Sequence, residues 1–188
     1  MKVQDQACDV QTFLLIPHTV SDLAEFIAKP ADYLVSVENE PERAAKIWFD
    51  RAARNPFGGD GIVHIKYFGM KLIPLGIWDD TVAVWFALLD ALEGFLSTGT
   101  GNGSFSVEIS LIGSIHGASF SVNGISHGVD PRELIPAVLD GAKRYFSWLE
   151  NTVGSSYPEV SERIQAMIAS LNSFSPTRAT TKESHPRA

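Results

Sequence analysis

Residues 96–110 read LSTGTGNGSFSVEIS: Gly99, Gly101 and Gly103 stand within five positions and run straight into an alternation of apolar and polar side chains. A glycine loop that cradles phosphate follows a strand and opens a helix, so that N–H groups at the helix start meet the anion. Such a loop would place the chain among parallel-sheet nucleotide binders. The flanking sequence sets the opposite order. Upstream, WDDTVAVWFALLDALEGFL (78–96) begins with Asp79 and Asp80, which suit the positive end of a helix dipole. It then spaces Val82, Trp85, Phe86, Leu89, Leu92, Phe95 and Leu96 as one broad apolar stripe. Downstream, SFSVEISL (104–111) points Phe105, Val107, Ile109 and Leu111 one way and Ser104, Ser106, Glu108 and Ser110 the other. The glycines thus lie between a helix ending near Leu96 and a strand starting near Ser104, and no Lys-Ser or Lys-Thr pair follows Gly103. This order predicts a turn that closes the helix, not a phosphate site.

One wet face on the strand implies an antiparallel sheet. HGASFSVNGISHG (116–128) supplies the next strand through Ala118, Phe120 and Val122, then Asn123-Gly124, the strongest short hairpin signal. Working outward, TVSDLAEFIAKP (19–30) has Ser21 as a helix cap, Leu23, Phe26 and Ile27 on one face and Pro30 as a stop. DYLVSVEN (32–39) alternates as a strand, and a second helix starts at Pro41 and stops before Asn55-Pro56. GIVHIKYFGMKLIPLGI (61–77) puts Val63, Ile65 and Tyr67 on one strand face, turns at Gly69, and offers a second strand near Leu72 to Leu75. DPRELIPAVLDGAKRYFSWLE (130–150) is a helix with Asp130 as cap, Pro131 at its first position and Glu133 in the capping-box place. A last helix spans 159–171. The expected architecture is α+β: one antiparallel meander sheet packed against several helices in a single domain over 1–171, followed by a disordered basic tail over 172–188.

Composition narrows the chemistry. The 188 residues are 45% hydrophobic, enough for one sizeable core. Cys8 is the single cysteine, so neither an intramolecular disulfide nor a thiolate zinc site is expected, which suits a reducing, cytoplasmic setting. FLLI (13–16) is shorter than a signal peptide's apolar region of roughly 7–15 residues, and VAVWFALL (82–89) falls short of the ~18 that a membrane span needs. No membrane association is expected. The net charge of −7 is uneven: residues 72–142 hold eight acids against Arg132 alone. That field disfavours nucleic acid and attracts a basic partner.

Four features invite functional readings. GISHG (124–128) matches G-x-S-x-G and centres it on Ser126, the signature of a hydrolase nucleophile elbow. The helix expected at Asp130 comes four residues late for an elbow, and the only histidines at or beyond this point are His127 and His185. His18, His64, His116, His127 and His185 show no metal-ligand spacing, although His116 and His127 could face each other across adjacent strands. Asp79 and Asp80 could perform acid–base work, but capping is their simpler role. Trp78 and Trp148 lie off the cleanest apolar stripes and are candidate interface anchors.

The arrangement from Trp78 to Leu149, a long apolar helix, a Gly-rich turn, a serine-faced hairpin and a capped helix bearing YFSWL, resembles small α+β immunity proteins of bacterial polymorphic-toxin and contact-dependent growth inhibition systems. The resemblance implies a cytoplasmic, non-catalytic inhibitor, without cofactor or metal, that blocks a cognate toxin domain, often a nuclease with a basic cleft. Mimicry of phosphate charge would be the logic, with Asp79, Asp80, Glu93 and Glu108 as partner contacts. A small serine hydrolase built on Ser126 and a structural subunit that self-associates through the serine-faced sheet stand as alternatives.

Overall fold

The alternation in CDVQTFLL makes β1 (Cys8–Leu15) a strand, one that the sequence does not announce because the polar Thr12 stands on its inward face. Cys8, Val10, Thr12 and Leu14 all turn into the core. The computed structural model describes residues 7–17, 20–53, 60–104 and 107–173. In it β1 lies inside an antiparallel sheet ordered β2-β1-β3-β4, where β2 is Leu34–Ser36, β3 is Asp60–Tyr67 and β4 is Met70–Lys71. A two-residue β5 (Asp79–Asp80) also pairs with β3, Asp60 opposite Asp80. Val63, Ile65 and Tyr67 are buried as their spacing predicts. Two expectations need correction. The strand read over 32–39 shrinks to three residues, because a 3-10 turn occupies Pro30–Asp32 before it and its pairing with β1 is limited to Phe13–Leu15. The strand expected near Leu72 to Leu75 stops at Lys71; Leu72, Ile73 and Leu75 are buried as irregular chain, beginning where Leu72 N–H donates to Ile65 C=O at 2.9 Å.

A second antiparallel sheet runs in sequence order, β6 (Thr100–Ser104), β7 (Glu108–Ser114), β8 (Gly117–Val122) and β9 (Ile125–Val129). This is the expected meander, but it is one of two sheets. It also corrects the reading of the glycines. Gly99 does close helix α3 (Thr81–Thr98), with φ of 80° and its N–H on Phe95 C=O. Gly101 and Gly103, however, belong to β6, paired with Leu111 and Ile109. A Cβ at Gly101 would stand 1.7 Å from the Ala91 carbonyl oxygen, and one at Gly103 would stand 1.8 Å from that of Ala87. Those two glycines let a strand lie directly on a helix backbone. The single strand read over 104–111 is therefore two: β6 ends at Ser104 and β7 begins at Glu108, with Phe105 and Ser106 outside the described residues.

Helix α3 is the centre of the core. Trp85, Leu89, Leu92 and Phe95 of the predicted stripe are buried, and so are Val84, Ala87, Leu88 and Ala91, because α3 packs on elements of both sheets. By length and composition α3 could also cross a membrane, although half of it is buried inside the fold. Helix α4 (Pro131–Trp148) has Asp130 as its cap and buries Ile135, Val138, Leu139, Ala142, Tyr145 and Phe146. It runs into a π-helical turn at Leu149–Val153 and is followed by α5 (Pro158–Ser173). Helix α5 runs two residues past 171, where the tail was expected to begin, and 174–188 lie outside the described residues. Helix α2 (Pro41–Ala52) begins at its proline as predicted. Helix α1 (Leu23–Ala28) is capped by Asp22 rather than Ser21, the Asp22 carboxylate accepting from Ala24 and Glu25 N–H. One large cluster joins both sheets with α2 to α5, and a smaller one, Leu15, Phe26, Leu34, Ile62 and Leu75, lies under α1.

Candidate functional site

Ser126 is placed by the hairpin that Asn123 and Gly124 turn, at φ of 46° and 81°. It is an exposed residue of β9, directly opposite Ser121, and the two hydroxyls are hydrogen-bonded to each other. An elbow would lift the serine onto a sharp strand-to-helix turn. Here the strand continues to Val129 and the helix starts at Pro131. His127, the next residue, projects to the other face of the sheet opposite Phe120. Among the described residues no histidine or carboxylate bonds to the Ser126 hydroxyl. His116 sits in the β7–β8 turn, so the cross-strand pairing of His116 with His127 does not occur. Among the described residues no group of three or more potential ligands could hold a metal.

The four carboxylates proposed as partner contacts do not share a patch. Asp80 caps α3, its Oδ1 accepting from Ala83 N–H at 2.9 Å, and Asp79 Oδ1 accepts from Asp80 N–H at 2.7 Å. Glu93 lies thirteen residues along the same helix, about 20 Å away. Glu93 and Asp90 together hold Arg163 of α5, at 2.6 and 2.7 Å. Glu108 starts β7 on the far side of the meander. Of the eight acids in the acidic block, Asp80 and Asp130 are spent on caps, and Asp90, Glu93 and Asp140 on arginines.

Asp80 has a measurable consequence. Its Oδ2 is buried with no hydrogen-bond partner among the described residues. Burial raises its pKa, helped by the charges of Asp79 and Asp60 and opposed by the N–H groups of Ala83 and Val82. A carboxyl group whose pKa is higher folded than unfolded binds its proton more tightly in the native state, so stability falls as pH climbs from the ordinary 3.8 through the raised value. Asp80→Asn keeps a capping oxygen and loses the charge. Urea melts from pH 3.5 to 7 are expected to show the variant gaining on the wild type as pH rises. A constant difference across that range would refute the assignment.

The two candidate tryptophan anchors separate. Trp148 is buried, donates from Nε1 to Pro41 C=O at 3.1 Å and meets Trp48 edge-on at 5.9 Å, so it locks α4 to α2 and is not available as an anchor. Trp78 is half-buried against the small cluster, edge-on to Phe26 at 5.5 Å. Sequence reasoning missed a groove between β1 and α4. Two adjoining cavities of about 240 and 490 Å³ share Glu38, Asp140 and Arg144. They open because β2 pairs only with Phe13 to Leu15, leaving the first half of β1 without a strand on that edge among the described residues. Side chains complete it: Glu38 accepts from Thr12 N–H at 3.0 Å, and Arg144 donates to Val10 C=O at 2.7 Å while pairing with Asp140. Burial raises the pKa of Glu38, against the bonds it accepts and the nearby Arg144 charge. Burial likewise pushes the Cys8 thiol, in the groove wall, up to about 11, which keeps it protonated and a poor nucleophile. Glu38, Asp140 and Arg144 are thus already paired with one another or with the strand edge.

No protein family, curated protein or solved structure matches the chain.

Proposed function

We propose that the chain is a non-catalytic binding protein of the immunity kind, an acidic inhibitor that holds a basic toxin domain in the cytoplasm. The observation that carries this reading is charge. The chain holds 22 acids against 15 bases, net −7, and between 72 and 142 Arg132 is the sole cation. A surface of one sign steers an oppositely charged partner and repels nucleic acid. With five carboxylates of the acidic block engaged internally, complementarity comes from the field of the whole surface and not from Asp79, Asp80, Glu93 and Glu108 acting together. The test is to search the neighbouring genes for a toxin-like reading frame and to co-express its product with this chain. Restored growth is expected, with a complex that weakens as salt is added. Unrelieved toxicity with no complex at low salt would overturn the reading.

A second reading has one observation in its favour. Ser110, Ser119, Ser121 and Ser126 share the outer face of the meander, which no helix among the described residues packs against. Self-association through that face predicts a mass that rises with concentration in sedimentation experiments and a Ser121→Arg variant that stays monomeric.

A further inference from the structure

The geometry points to the exposed flank of α1 and the adjoining Trp78 as the docking surface for a partner segment that carries an apolar side chain flanked by lysine or arginine. This rests on the reading of the chain as a binder of a basic protein, and it names the place. Helix α1 turns Phe26 inward, fully buried, between Trp78 and Tyr33, whose rings meet it edge-on at 5.5 and 5.6 Å. Leu23 and Ile27, one turn apart, then fall on a common flank of the helix, about 60–100° round from Phe26. They remain 49% and 48% exposed. The Leu23 Cδ1 atom stands 3.9 Å from where a Gly76 Cβ would be, which sets that flank against the segment leading to Trp78. Two aliphatic side chains left half in water beside a half-buried tryptophan form an apolar strip of the kind that anchors interfaces.

The helix cap, the opposite flank and the turn that follows supply the charge. Asp22, Glu25 and Asp32 are exposed, and none takes part in a salt bridge among the described residues. Glu25 accepts a hydrogen bond from Tyr33. From Val20 to Tyr33 three acids stand against Lys29 as the sole cation. This is an apolar centre with an acidic rim, the complement of an apolar centre with a basic rim. On α3 and α4, by contrast, Asp90 and Glu93 share Arg163, and Asp140 pairs with Arg144.

The probe is a synthetic amphipathic helix of leucine and lysine, titrated into the ¹⁵N-labelled protein. Shift changes are expected to gather at Leu23, Ile27 and the Trp78 indole, and a leucine–glutamate peptide is expected to leave them unmoved. Leu23→Ser with Ile27→Ser should weaken binding roughly tenfold, a loss of about 1.4 kcal/mol. Asp22→Asn, Glu25→Gln and Asp32→Asn together keep the helix cap and the Tyr33 bond, and should weaken binding similarly while flattening its salt dependence. All five positions are exposed, and unchanged far-UV circular dichroism checks that the fold survives. Shift changes centred on 79–108, or unaltered affinity in both variants, would overturn the proposal. In the co-expression assay, Leu23→Ser with Ile27→Ser protecting as well as wild type sinks this surface and leaves the inhibitor reading standing. Wild type failing to protect, with the peptide still seated on α1, sinks the inhibitor reading and leaves the surface standing.

Discussion

Gly101→Ala is expected to cost about 4 kcal/mol or more, at the upper end of what overpacking does to a core. The added methyl would sit 1.7 Å from the Ala91 carbonyl oxygen and 2.6 Å from the Phe95 nitrogen, both backbone atoms of α3 that no rotamer change can move. Either β6 lifts off the helix or α3 shifts, and α3 is packed on its other sides by elements of the first sheet and by α4 and α5. Against a total stability of roughly 5–15 kcal/mol, such a loss lowers the melting temperature by about 10 °C or more. Two controls separate the causes. At Gly99 a Cβ meets nothing within 4 Å, but φ is 80°, so Ala there costs only the left-handed penalty of about 1–2 kcal/mol. At Gly128 a Cβ also meets nothing within 4 Å and the backbone is not left-handed, so Ala is expected within about 0.5 kcal/mol of wild type. If Gly101→Ala unfolds like Gly128→Ala by calorimetry, the strand-on-helix contact is wrong.

That contact also explains what the sequence did and did not disclose. Periodicity finds elements that present one face to the core, so α4, the β8–β9 hairpin and the buried face of β3 were legible. It misleads where both faces are covered. Val84, Ala87, Leu88 and Ala91 lie off the predicted stripe of α3 because that helix has two buried sides, and β1 escaped notice because Thr12 interrupts its apolar face. Glycines suggest a turn, yet Gly101 and Gly103 serve close approach, which depends on a helix ten to sixteen residues away having small residues at Ala87 and Ala91. The acidic block was legible as composition only. Which carboxylates stay free depends on where Arg163 and Arg144 arrive, and those come from α5 and from α4 itself. The α1 surface was split in sequence between Asp22–Asp32 and Trp78, which no local spacing connects.

Trp85→Ala should be the costliest side-chain truncation, about 3–5 kcal/mol for a tryptophan deleted from a closed core. Trp85 is fully buried, stacks on Tyr145 at 6.0 Å and donates from Nε1 to the Thr12 hydroxyl at 3.1 Å, so one side chain of α3 holds both β1 and α4. The Tyr145 hydroxyl in turn meets the Thr81 hydroxyl at 2.7 Å, and burial holds its pKa well above the ordinary range. Removing the indole therefore opens a cavity between β1 and α4, and leaves the hydroxyl of the wholly buried Thr12 without its indole donor. Packing and hydrogen bonding can be separated. Trp85→Phe retains most of the ring and loses the donor, while Thr12→Val retains the shape and strands the indole N–H, a penalty of about 1–3 kcal/mol. The double variant removes both ends of the bond together, so it should cost less than the two single variants summed, by about 1 kcal/mol in urea melts. Strict additivity would mean that the bond between Trp85 and Thr12 contributes nothing, and that the strand is held to α3 by packing alone.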